Sequence, residues 1–177
     1  MKNILLTALA SFTLYIASAQ QYDDVFDAAR KGDIQTLKSL AAINPDTLNS
    51  HDHKGYTPLI LAIYNDQKET SQYLLSEKVE IDTQDKSGNT ALMGATFKGY
   101  TTLVKLLLKT GASPNTKNYN GATALTFAAT FGRDQIAKIL LQYGADLNVI
   151  DAYGNTPLSY AQNQGNESMI LLLQNKP

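Results

Sequence analysis

The chain has 177 residues, of which 44% are apolar and 18% charged, and a formal net charge of −1, enough for one domain with a buried core. Charges that nearly cancel supply neither the basic stripe that nucleic acid requires nor a polybasic membrane patch, so no nucleic-acid partner is expected. With no cysteine and two histidines, disulfides, thiolate nucleophiles and cysteine-ligated zinc are excluded, and few catalytic constellations remain.

Residues 1–19 read as an export signal. Lys2 is the only charge in the first 22 residues, and an apolar run follows from Ile4 to Ala17. Ala17-Ser18-Ala19 then places small residues at −3 and −1 of a cleavage site. The run is shorter than the roughly 20 residues of a spanning helix, so cleavage before Gln20 is expected to leave no stable membrane insertion. The short n-region with a single lysine points to bacterial export, to the periplasm or to secretion.

The rest of the chain repeats every 33 residues. Gly55, Gly88, Gly121 and Gly154 keep that spacing, as do Thr57, Thr90, Thr123 and Thr156. Leu59, Leu92, Leu125 and Leu158 follow, then Ala62, Ala95, Ala128 and Ala161, with Ala29 one period upstream. Leu74, Leu107, Leu140 and Leu173 mark the second half of each unit. Such a period signals stacked supersecondary units, none of which buries its apolar face alone. Each Thr is placed to cap a helix, and Pro58 and Pro157 occupy the first helical position, where a missing N–H costs nothing. Leu103, Leu106 and Leu107, then Ile136, Ile139 and Leu140, form the apolar stripe of a second helix. Gly99, Gly132 and Gly165 suit the turn between the helices, and Gly111 and Gly144 the stop after the second.

Thr57-Pro58-Leu59-Ile60-Leu61-Ala62 and Thr156-Pro157-Leu158-Ser159-Tyr160-Ala161 resemble the opening motif of ankyrin repeats, and Gly144-Ala145-Asp146-Leu147-Asn148 resembles its closing one. Variants of the two motifs start at Thr90, Thr123 and Gly111. The resemblance covers residues 22–177. It implies an all-α ankyrin-repeat solenoid of helix-turn-helix units joined by β-turn fingers. About five units are expected: an N-terminal cap at 22–51, full repeats at 52–84, 85–117 and 118–150, and a C-terminal cap at 151–177. The family's His position holds Ile60, Met93, Thr126 and Ser159. The loss of that side chain's bond to the turn predicts less rigid fingers. Lys78 replaces a stop glycine, and Thr70 and Ser71 replace aliphatic residues, so the first full repeat is expected to be the softest. Leu171 falls at a normally polar position, through a slip of register or as an apolar spot left for a partner.

His51-Asp52-His53 is the one cluster of metal-ligand types. Two His at i, i+2 of an extended stretch point the same way, but a third ligand is missing. The alternative is that Asp52 opens a turn, as Asp85 and Asp151 do, with His51 and His53 on an exposed finger. No nucleophile elbow, P-loop or dinucleotide glycine pattern is present. No enzymatic activity, metal or cofactor is expected.

The resemblance implies that partners bind a concave face made of the fingers and the outer side of each first helix. On that face the finger positions are His53, Lys54 and Tyr56; Lys86, Ser87 and Asn89; Tyr119, Asn120 and Ala122; Ala152, Tyr153 and Asn155. The helix positions are Tyr64, Asn65, Phe97, Lys98, Thr130 and Phe131. Tyr56, Tyr64, Phe97, Tyr119, Phe131 and Tyr153, with His53 and Lys86, are the expected anchors, since aromatic side chains dominate interface energetics. A monomer that binds one envelope protein is the first functional reading. A secreted effector or toxin-immunity protein using the same face is the second.

Overall fold

Each helix of the first layer begins where a threonine hydroxyl can take a free backbone amide. Thr57, Thr90, Thr123 and Thr156 accept from the amides of Ile60, Met93, Thr126 and Ser159 at 3.2, 3.4, 3.4 and 3.2 Å. A cap of this kind is worth about 1 kcal/mol. The computed structural model describes residues 24–175. The expected signal segment and its cleavage site lie outside the described residues.

A helix over residues 24–31 (α1) is followed by α2 (Ile34–Ile43) and a 3-10 turn at Pro45–Asn49. Four helix pairs come next: α3 (Pro58–Tyr64) with α4 (Lys68–Ser76), α5 (Ala91–Lys98) with α6 (Thr101–Thr110), α7 (Ala124–Thr130) with α8 (Asp134–Gln142), and α9 (Pro157–Asn163) with α10 (Glu167–Gln174). The helices α3, α5, α7 and α9 stack in one layer, and α2, α4, α6, α8 and α10 in a second. No strand occurs among the described residues. The fold is an all-α repeat solenoid.

One apolar core runs the length of the stack, from Val25 to Leu173. Small side chains let the first-layer helices approach closely: Ala62, Ala95, Ala128 and Ala161 are all fully buried. The second layer supplies the bulk. Helix α6 buries Leu103, Val104, Leu107 and Leu108, whereas α4 buries only Leu74 and Leu75 beside Thr70 and Ser71. The Ser71 hydroxyl is satisfied by the Gln67 carbonyl at 2.7 Å, so its burial leaves no orphaned donor. Lys78 adopts φ +58, the left-handed conformation that Gly111 and Gly144 take at the same place in later units. Met169 and Leu173 are buried while Leu171 is 59% exposed, so the register of α10 does not slip and Leu171 lies on the surface.

The fingers, which lack the family's His, are held by other bonds. One side chain per finger, Asp52, Asp85, Asn118 or Asp151, accepts two backbone amides through its Oδ1 at 2.8–3.0 Å. Successive fingers are then tied to one another. The Lys86 amide donates to the Lys54 carbonyl at 3.1 Å, Tyr119 to Ser87 at 3.2 Å and Ala152 to Asn120 at 2.8 Å. Where the family's His is replaced by Thr126 and Ser159, these hydroxyls also accept from the amides of Thr123 and Thr156. A short carboxylate or amide inside the turn thus does what a more distant imidazole was expected to do.

Candidate functional site: the finger and first-helix face

The fingers and the first-layer helices meet along one side of the stack, and the aromatic side chains there fall into two groups. In the first, Tyr56 and Tyr64 are half-buried, with ring centroids 5.7 Å apart. Tyr64 lies across α5, where Gly94 makes room: a Cβ on Gly94 would stand 3.3 Å from the Tyr64 ring. Burial, joined by the charges of Tyr56 and Asp85, pushes the Tyr64 hydroxyl up to about 12. The Lys98 ammonium sits 6.0 Å from the Tyr64 ring, at the outer limit of a cation–π contact.

The second group is more open. Phe97 and Phe131 meet edge to face at 4.8 Å across neighbouring repeats, and Phe127 lies 6.1 Å from Phe131. An edge-to-face pair of this kind adds about 0.5–1.5 kcal/mol beyond its buried area. Both Phe97 and Phe131 nonetheless keep about two-fifths of their surface in solvent, at 38% and 42%. Tyr119 is 71% exposed, its ring edge against Gly88 of the preceding finger. Tyr153 is 72% exposed and lines a cavity of about 200 Å³ with Phe127, Phe131, Tyr160, Asn120 and Asp151.

At that cavity the Tyr160 hydroxyl donates to Asp151 Oδ2 at 2.5 Å. Burial works to raise the Asp151 carboxyl. Hydrogen bonds from Tyr160 and from the amides of Asn155 and Tyr153 outweigh it and hold the carboxyl below the usual range. The same bond raises the Tyr160 hydroxyl, with burial adding to the effect. Asp151 is therefore an anion at neutral pH.

The structure brings Phe97, Phe131 and Tyr153 into one region and pairs Tyr56 with Tyr64. His53 and Lys86 are exposed on the fingers, and their side chains make no hydrogen bond or ion pair among the described residues. Asp52 opens its turn, and His51 and His53 lie on an exposed finger. Among the described residues no group of three His, Cys, Asp or Glu side chains is placed to hold a metal ion. A larger groove of about 570 Å³ lies on the opposite layer, lined by Lys38, Asp46, Tyr73, Glu77 and Val79 among others. Side chains of both charges line it.

Two side chains of the open group, Phe127 and Tyr160, escape the sequence reading. Both occupy the variable position just before the motif's final Ala, where the earlier repeats carry Leu61 and Gly94. The signal is that this column changes from aliphatic to empty to aromatic along the chain.

Residues 25–118 match a family model described as ankyrin repeats in three copies, which spans more than half of the chain. Residues 107–161 match a second, described as ankyrin repeats in many copies. No curated protein matches the chain.

Proposed function

The chain belongs to the ankyrin-repeat family, and from that premise we propose a non-enzymatic module that holds one partner protein on its finger and first-helix face, in a bacterial cell envelope. Ankyrin repeats are generally protein–protein interaction modules and typically carry no catalysis. Among the described residues no helix is long and apolar enough to cross a membrane.

The observation that carries the choice of face is the second aromatic group. Phe97 and Phe131 pair across a repeat boundary yet remain open to solvent, beside an aromatic cavity and on fingers locked together by backbone hydrogen bonds. A pre-ordered aromatic surface binds with little loss of side-chain freedom, which is where much binding energy is otherwise spent. Placement in the envelope rests on the signal-like residues 1–19.

The test is capture from envelope extract with the exported form, beside a variant carrying Phe97→Ala, Tyr119→Ala and Phe131→Ala at equal helicity. One protein held by the parent and lost by the variant supports the face. Equal capture by both sinks it and moves attention to the Leu171 end. N-terminal sequencing of the envelope form reads Gln20 first if the export reading is right, and Met1 if it is wrong.

A further inference from the structure

We propose that the cavity between the third and fourth fingers receives a basic side chain, lysine or arginine, from an extended segment of the bound polypeptide. The proposal rests on the finger and first-helix face being the binding face, and it names what that face selects.

The molecule contains its own comparison. The turn side chains Asp52, Asp85, Asn118 and Asp151 all use Oδ1 to accept two backbone amides, which leaves the second oxygen of the three carboxylates for another task. At Asp52 that oxygen takes a cation: Arg30, near the end of α1, donates Nη2 to Asp52 Oδ2 at 3.2 Å. One, two and three periods on from Arg30 the chain carries Ile63, Thr96 and Ala129. No later finger can therefore be served by the same arrangement. The second oxygen of Asp151 receives the neutral hydroxyl of Tyr160 instead, and no ion pair to Asp151 occurs among the described residues.

The surroundings fit such a guest. Asp151 is 93% buried by residue, since it keeps only 7% of its surface, and it lines the cavity beside Phe127, Phe131, Tyr153 and Tyr160. A volume of about 200 Å³ suits one long side chain rather than a globular surface. Aromatic walls hold the aliphatic stem of lysine or arginine, and their faces attract its charged head. Charge points the same way. Residues 118–132 and 150–165 hold no lysine or arginine, and Asp151 is the one acid among them. The face's lysines, Lys54, Lys86 and Lys98, all lie on the first two fingers and α5. An acidic side chain entering the cavity would meet an anion with no cation to offset it.

The experiment follows backbone amide resonances of the protein during titration with acetyl-Gly-Gly-X-Gly-Gly-amide peptides, X being arginine, lysine, citrulline, norleucine or glutamate. The arginine and lysine peptides should move Asn120, Tyr153 and Asn155 with saturation in the millimolar range, and the other three should bind about tenfold more weakly. Asp151→Asn should weaken the arginine peptide by about tenfold while leaving the finger folded, because Asn118 already makes the same two amide bonds in its own finger. Equal binding of citrulline and arginine, no saturable shift, or indifference to Asp151→Asn overturns the proposal. A parallel selection of displayed random peptides separates it from the face reading. Selected peptides that shift finger resonances without a basic residue overturn the basic pocket alone. Peptides that shift only residues away from the fingers overturn the face as well.

Discussion

The two halves of the finger face are built from the same repeat yet differ in what they leave free. In the N-terminal half the aromatic rings are spent on packing: Tyr64 lies over the space left by Gly94, Tyr56 lies against Tyr64, and Arg30 closes off Asp52. In the C-terminal half more ring surface stays in solvent. Phe127 and Tyr160 occupy the column that Gly94 leaves empty, and Phe131 and Tyr153 stand open to solvent around a carboxylate with no cation beside it. On the fingers, the position within the repeat separates a ring that packs from one that faces outward: Tyr56 stands at a half-buried position and Tyr153 at an exposed one.

The largest effect expected from breaking this comparison lies at the finger glycines. Gly88 and Gly154 both sit at φ near +80, at +80 and +78. A Cβ on Gly88 would stand 2.6 Å from the Tyr119 amide nitrogen, where the second finger meets the third, whereas one on Gly154 meets nothing within 4 Å. Gly154→Ala should therefore cost only the left-handed strain, about 1–2 kcal/mol. Gly88→Ala adds a backbone clash and should cost roughly 3 kcal/mol or more. Denaturant unfolding of the two variants measures the difference, and equal losses would mean that the fingers are not tied to one another as the hydrogen bonds imply.

Much of the fold was legible because it rests on backbone requirements that recur at 33 residues. Thr57, Thr90, Thr123 and Thr156 cap helices in the structure as their spacing predicts, and the glycines take positive φ where turns were expected. The bonds that hold the fingers are harder to read, because the family's imidazole is absent. The work is done by Asp52, Asp85, Asn118 and Asp151, whose paired amide bonds close only once the turn forms. The division of the face was legible in part. Tyr56 stands at the finger position of Asn89, Ala122 and Asn155, which is half-buried in every finger, and Tyr153 at that of Lys54, Ser87 and Asn120, which is exposed in every finger. The Arg30–Asp52 pair spans 22 residues and occurs once, so no period announces it.

A smaller effect sharpens the same contrast. Tyr64→Ala removes a half-buried ring from Tyr56 and from the surface of α5, and should lower stability by about 2 kcal/mol. Tyr153→Ala removes a ring mostly in solvent and should change stability by no more than about 0.5 kcal/mol. For partner capture the order should reverse, with Tyr153→Ala the more damaging of the two after allowance for any unfolding. Matching stability losses would show that the open half is packed as tightly as the closed one.

The smallest effect is a dependence on alkaline pH that belongs to the closed half. A tyrosine in an unfolded chain loses its proton near pH 10. Tyr64 in the folded protein holds its proton to about 12, because burial and the nearby Tyr56 and Asp85 disfavour the tyrosinate. Between those values the native state binds more protons than the unfolded one, so stability falls as pH rises, while below pH ~10 this contribution is fully present. Tyr64→Phe keeps the ring and removes the titrating group, and should make the alkaline loss of stability shallower. Some slope should persist, since Tyr73 and Tyr160 are also raised, Tyr73 mainly by burial and Tyr160 mainly by its bond to Asp151. Unfolding midpoints measured across this range, with tyrosinate absorbance followed in parallel, read the difference directly. Identical slopes for parent and Tyr64→Phe would mean that the Tyr64 hydroxyl reaches water freely, and the distinction between a closed and an open half of the face would lose its clearest chemical marker.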